Sequence, residues 1–76
     1  MLAFVFIKVE IDVGPRVASE IMKIGSVKEL HELTGDIDLI AKVSARDIDE
    51  LSRVIYQIRD VKGVQGTDTR IVLVTK

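Results

Sequence analysis

The sequence predicts an α+β domain of order strand-helix-strand-strand-helix-strand, with a four-stranded antiparallel sheet carrying both helices on one face. Three observations predict it. Apolar residues recur at period two in four segments and at helical spacing in two others. Gly, Pro and capping residues fall between those segments, where chain reversals need them. Strand-to-strand crossovers are right-handed, so two of them in this order place both helices on the same side.

The first strand is read over Leu2 to Ile11, where Ala3, Val5, Ile7, Val9 and Ile11 form one apolar row. Its opposite face begins with Leu2, Phe4 and Phe6 and turns polar at Lys8 and Glu10. Gly14-Pro15 then opens a helix, because proline in the first turn has no N–H to lose. Val17, Ala18, Ile21 and Ile24 carry it for about ten residues to Gly25, read as its C-terminal cap. The second strand spans Val27 to Thr34, with Val27, Glu29, His31 and Leu33 on one face. Thr34-Gly35-Asp36 is a turn signal, and Ile37, Leu39, Ala41 and Val43 line the third strand, so these two strands form a hairpin. Ser44-Ala-Arg-Asp47 reads as a variant capping box before the second helix, whose stripe is Ile48, Leu51, Ile55 and Ile58. Gly63 ends it. The last segment, Val64 to Lys76, closes with Ile71-Val-Leu-Val74, apolar on both faces and therefore expected to be central or covered on both sides.

The six elements make a ferredoxin-like arrangement with a bare second sheet face carrying Leu2, Phe4, Phe6 and Ile40. Such a patch is too apolar to leave in water, so two copies are expected to pack sheet to sheet as a sandwich or closed dimeric barrel. Length points the same way. A chain of 76 residues buries only about 60% of the surface its unfolded form exposes, and with no Cys and His31 as its only histidine it has neither disulfides nor a zinc site to add stability. Oligomerisation remains.

Composition excludes several functions. Eleven Lys+Arg against twelve Asp+Glu give a net charge of -1, which lacks the basic footprint of a nucleic-acid binder. No apolar run reaches the ~20 residues that span a bilayer, and Lys8 and Glu10 interrupt the N-terminal stretch where a secretory peptide would be cleaved. A cytoplasmic protein with no membrane partner is expected. The chain has no Cys nucleophile, glycine-rich phosphate loop or second histidine, so no familiar catalytic constellation and no cofactor is implied. His31 is the one candidate general base, with Asp36 or Asp38 to orient it across the hairpin. A surface or interface position is the plainer reading of a lone histidine between Glu29 and Glu32.

Two clusters carry binding chemistry. In Thr34-Gly35-Asp36-Ile37-Asp38, glycine brings free backbone N–H groups toward a carboxylate while the aspartates receive an ammonium group, a pairing that suits an α-amino acid. The plainer reading is a turn using Gly35 for positive φ and Asp for local hydrogen bonds. Gly66-Thr67-Asp68-Thr69 offers short polar side chains beside an apolar strand, as a pocket lining or a strand-entry loop.

The order of elements, the Thr34-Gly35-Asp36-Ile37-Asp38-Leu39 turn, Val61-Lys-Gly-Val64, and Thr67-Asp-Thr69 followed by Ile71-Val-Leu-Val74 together resemble the RAM domain, the effector-sensing half of Lrp/AsnC feast/famine regulators. The resemblance covers nearly the whole chain. It implies a single sensing domain over residues 1–76 without the family's DNA-binding helix-turn-helix, and sheet-paired dimers that associate further, often into octamers. It also implies an amino-acid effector held between dimers and full-length regulators of the family as partners. In the family the turn and the threonine segment border the effector, which makes His31, Leu33, Thr34, Gly35, Asp36, Asp38, Thr67, Asp68 and Thr69 the candidate ligand-binding residues. Leu2, Phe4, Phe6 and Ile40 are the candidate dimer interface. Ile37 departs from the aromatic often found in that turn. The rival readings are a small barrel enzyme with His31 lining an internal cavity, and a ligand-free structural partner of regulator oligomers.

Overall fold

In a computed structural model describing residues 1–76 the elements are β1 (Leu2–Val9), α1 (Gly14–Ile21), β2 (Val27–Glu32), β3 (Leu39–Ser44), α2 (Ile48–Asp60) and β4 (Val64–Ile71). The sheet runs β2-β3-β1-β4 and every neighbouring pair is antiparallel. Each helix therefore joins two parallel strands with one strand between them, which is the ferredoxin-like topology the sequence predicts.

Alternation along the two central strands creates the core. Ala3, Val5, Ile7 and Val9 of β1 and Leu39, Ala41 and Val43 of β3 are buried against Val17 and Ile21 of α1 and Leu51, Val54 and Ile58 of α2. Burying an aliphatic side chain of this size contributes roughly 1.5–3 kcal/mol, and no polar residue is buried to offset it.

Several boundaries differ from the sequence reading, each for a local reason. β1 stops at Val9 because Asp12 adopts φ 69 and reverses the chain, which leaves Ile11 89% exposed instead of in the core row. α1 ends at Ile21, and Gly25 has no left-handed φ; its carbonyl instead accepts a hydrogen bond from Lys28 Nζ at 2.9 Å. A bulge between Val27 and Glu29 breaks the alternation of β2, so Val27 is buried while Glu29 and His31 face the other way. The cap of α2 is Asp47, not Ser44: Asp47 is extended, immediately precedes Ile48, and its carboxylate accepts the Glu50 N–H at 2.9 Å. Gly63 is required where the sequence places it, since at φ 105 a Cβ would come 2.9 Å from Val13 Cγ2.

The largest correction concerns the last segment. β4 covers Val64–Ile71 and lies at the sheet edge, because a second crossover over β1 leaves no neighbour outside it. Val72 adds one more ladder bond, its N–H donating to Leu2 O at 2.9 Å. Beyond it Leu73 and Val74 are 93% and 69% exposed, so the apolar run expected to be central is uncovered in a single copy.

Candidate functional site

The sheet face without helices is built from the even positions of β1 and their cross-strand neighbours. Phe6 pairs with Ile40 on one side and Asp68 on the other, and His31 stands beyond Ile40. One step along, Phe4 lies between Lys42 and Arg70, with Glu29 beyond Lys42. Leu2, Phe4, Phe6 and Ile40 come together as an apolar stripe that a single copy leaves only half-buried. Ion pairs flank it: Lys42 Nζ to Glu29 Oε2 at 3.6 Å, and Arg70 Nη2 to Asp68 Oδ2 at 3.0 Å. Arg70 also lies over the Phe6 ring, 5.7 Å from its centroid. Its hydrogen bond to Asp68 pushes the guanidinium pKa further up, so Arg70 stays charged. The face thus has a greasy centre and charge-balanced rims, a pattern suited to a self-complementary interface.

The hairpin turn forms the second feature. Leu33 N–H donates to Asp38 O at 2.8 Å and Asp38 N–H to Ile7 O at 3.1 Å, while Lys8 Nζ donates to Asp36 O at 3.0 Å. Gly35 has φ 97 with open space where a Cβ would stand, so backbone conformation and not close approach selects glycine. Asp38 has a role the sequence does not reveal, its Oδ2 accepting the Val9 N–H at 2.9 Å just past the last β1–β3 pair, Ile7 with Leu39. Leu33 and Asp38 line an open cleft of about 330 Å³ together with Glu10, Ile11, Asp12, Pro15 and Glu32. Thr34, Gly35 and Asp36 form the exposed tip of the turn.

The remaining candidates divide between two faces. Ile7 pairs with both Leu39 and Thr67, so Leu39, at the root of the turn, and Thr67 flank β1 at one level, about 9–10 Å apart. Thr67 and Thr69 belong to the helix-covered side, whereas Asp68 points to the bare face. Thr69 joins Ile48, Ile55 and Tyr56 in a groove of about 270 Å³ between α2 and β4, and Thr67 sits beside Arg59 in a neighbouring depression. Gly66 to Thr69 is therefore mid-strand and not an entry loop. One chain does not gather the turn and the threonines into one pocket. His31 is exposed on the bare face and makes no hydrogen bond to Asp36 or Asp38, contrary to the orientation considered for a general base. It lines none of the four clefts.

Sequence reasoning missed Glu10, Asp12 and Glu32 around the turn cleft and Ile48 and Tyr56 in the α2–β4 groove. Helical spacing does place Ile48 at the start of the α2 stripe, with Tyr56 beside its member Ile55; the cleft residues come from separate segments and carry no common pattern.

Comparison with known proteins agrees with this architecture. The transcriptional regulator FL11 of Pyrococcus abyssi is 40% identical over 75 residues, covering 99% of this chain and 50% of FL11. The chain spans about half the length of such curated relatives. A 50-residue stretch is 50% identical to part of homocitrate synthase from Sulfurisphaera tokodaii, covering 66% of this chain and 11% of that enzyme. Among solved structures, TTHA0845 from Thermus thermophilus superposes with a TM-score of 0.93 at 30% identity, over 99% of this chain and 95% of that one. The regulator NMB0573 of Neisseria meningitidis, solved as an L-Met complex, shares the fold at a TM-score of 0.84 and 21% identity, over 95% of this chain and 49% of that one. Residues 2–76 match the profile described as the Lrp/AsnC ligand binding domain, and the chain belongs to that family.

Proposed function

We propose that this chain is an amino-acid-sensing module that works as a homo-oligomer. Two copies pair through the bare sheet face, and dimers associate further, to an octamer in the fullest form, with the effector held where one dimer's hairpin turn meets its neighbour. The observation that carries the reading is the half-exposed stripe of Leu2, Phe4, Phe6 and Ile40 between charge-balanced rims. Backbone N–H groups near Gly35 receive the carboxylate and Asp36 the ammonium group, Asp38 being partly committed to Val9. Thr67 and Thr69 border the effector only across a subunit boundary. The amino-acid class is supported by the L-Met bound to NMB0573, whose likeness to this chain is one of fold.

Binding between subunits favours the assembled state by the difference in affinity between assembled and separated dimers, and that difference alone sets the shift. The output is a change in assembly, or in association with full-length Lrp/AsnC regulators, in the cytoplasm and without direct contact to nucleic acid. Calorimetric titration with the twenty amino acids, followed by sizing with any that binds, tests it. Heat with at least one of them and a shift in size is the expected result; silence with all twenty contradicts it.

A second reading rests on the homocitrate synthase match: a similar sequence segment occurs within an enzyme. Eleven percent of that chain's length is an accessory share, and here the core holds no polar residue and no cleft includes His31. A regulatory module serves an enzyme as well as a transcription factor, so the match extends the sensor reading more than it argues for catalysis.

A further inference from the structure

Three consecutive residues of β1 hold the hairpin turn, each through a different group. The Ile7 carbonyl accepts the Asp38 N–H at 3.1 Å and the Val9 N–H donates to Asp38 Oδ2 at 2.9 Å, so both grip the root of the turn. Lys8, between them, reaches the tip, where its Nζ donates to Asp36 O at 3.0 Å. The reach follows from alternation: Lys8 comes after Phe6 on the bare face, at the end of β1 where Ile7 pairs with Leu39 and the hairpin begins.

The tip is a row of unused donors. Thr34, Gly35, Asp36 and Ile37 lie between β2 and β3, and none of their N–H groups donates to an acceptor of the chain. Successive free amides around a residue at positive φ form a concavity for an anion. The surrounding charge opposes one: Glu10, Asp12, Glu32 and Asp38 line the adjoining cleft, and Asp36 stands on the tip itself. Lys8 is the counter-charge. None of the chain's ion pairs includes it, so no carboxylate cancels its charge by contact.

We propose that Lys8 is a positioning residue for the effector's carboxylate, holding and polarising the peptide between Asp36 and Ile37 so that the Ile37 N–H is turned outward as a strengthened donor. The inference rests on the amino-acid-sensing reading above. The oxygen that Lys8 grips and the Ile37 N–H belong to one trans peptide, and planarity points them in opposite directions. An ammonium on the carbonyl side therefore fixes which way the N–H faces and strengthens it through the shared dipole. It does not touch the ligand. An anion on that N–H lies ~8 Å from Nζ, counting 3.0 Å to the carbonyl oxygen, the width of the peptide and one further hydrogen bond. At that separation a unit charge changes affinity by roughly 3- to 30-fold, for an effective dielectric of about 60 down to about 20.

Calorimetry with the twenty amino acids on the intact chain selects the tightest binder, which is then titrated into Lys8→Met and Lys8→Arg. Lys8→Met should bind it roughly 3- to 30-fold more weakly than wild type, and Lys8→Arg, which keeps a charged donor, should stay within about three-fold. Without ligand, all three proteins should melt within ~4 °C of one another. In wild type and Lys8→Arg, saturation should move the Ile37 amide proton resonance downfield, as a new hydrogen bond to that group requires. Lys8→Met affinity within three-fold of wild type, Lys8→Arg binding as weakly as Lys8→Met, or an Ile37 amide unmoved at saturation each overturns the role of Lys8. A larger drop in the melting temperature of Lys8→Met assigns the residue to the fold and overturns it too. Silence from wild type with all twenty overturns the sensing reading and takes this inference with it, whereas wild-type binding that Lys8→Met leaves intact overturns this inference alone.

Discussion

Asp38 Oδ2 and the Val9 backbone N–H are 2.9 Å apart, and this one bond ties the root of the β2–β3 hairpin to β1 just beyond the end of its ladder with β3. Odd residues of β1 turn their N–H and C=O groups toward β3, whose pairing with β1 ends at Ile7 and Leu39, so the Val9 N–H has no ladder partner and Asp38 supplies one. The turn is thus anchored to the central strand by a side chain that the sequence offers as a ligand-binding, His31-orienting or turn-bonding group.

Asp38→Ala should therefore destabilise the free protein by about 1–3 kcal/mol, the cost of leaving a partly buried donor unsatisfied. Asp38→Asn retains an acceptor oxygen and should cost less. Urea denaturation without any amino acid present checks this; equal midpoints for wild type and Asp38→Ala would assign Asp38 no structural role.

The two left-handed glycines should respond differently to alanine. Gly35→Ala meets open space and pays only the backbone term, about 1 kcal/mol. Gly63→Ala adds a Cβ at 2.9 Å from Val13 Cγ2 and 3.0 Å from Arg16 Nη2, and should cost more than Gly35→Ala by at least ~1 kcal/mol. Thermal melts compare them, at about 4–8 °C per kcal/mol for a domain of this size.

Asp47→Ala removes the α2 cap and should cost ~0.5–2 kcal/mol. Ser44→Ala should be neutral by the same measurement, since Ser44 ends β3 and Asp47 accepts the cap bond.

Acid should weaken the start of α2. Hydrogen bonding from Arg46, at 2.6 Å, holds the Glu50 carboxyl below its ordinary value of 4.5. Its folded value is the lower one, so its contribution is present above the ordinary value and lost as pH falls through the lowered one. The exposure of the Arg46 side of the pair to solvent keeps the effect small. Denaturation midpoints followed from neutral pH into acid should fall less steeply for Glu50→Gln than for wild type; parallel curves would contradict the assignment.

Where a pattern repeats along one element, it was legible. The odd and even rows of β1 specify both the core and the bare face, and Leu2, Phe4, Phe6 and Ile40 fall where alternation places them. Gly63 was legible because a left-handed residue after a helix is a single-residue signal. What failed depends on more than one element. The bulge in β2 and the reversal at Asp12 shift residues between faces without changing composition, and the edge position of β4 follows from topology while Ile71-Val-Leu-Val74 reads as central. The candidate site residues do not share one place in a single chain. Thr67 and Asp68 are sequence neighbours on opposite faces of a strand, and Leu33 and Asp38 share a cleft with residues from the β1–α1 connection.

The central claim is that the sheet face around Phe4 and Phe6 is covered by another copy. Sedimentation equilibrium of the wild-type chain at micromolar concentration tests it most directly. The account predicts a dimer or larger species that Phe4→Asp reduces in mass; a folded monomer of 8.5 kDa at that concentration would contradict it.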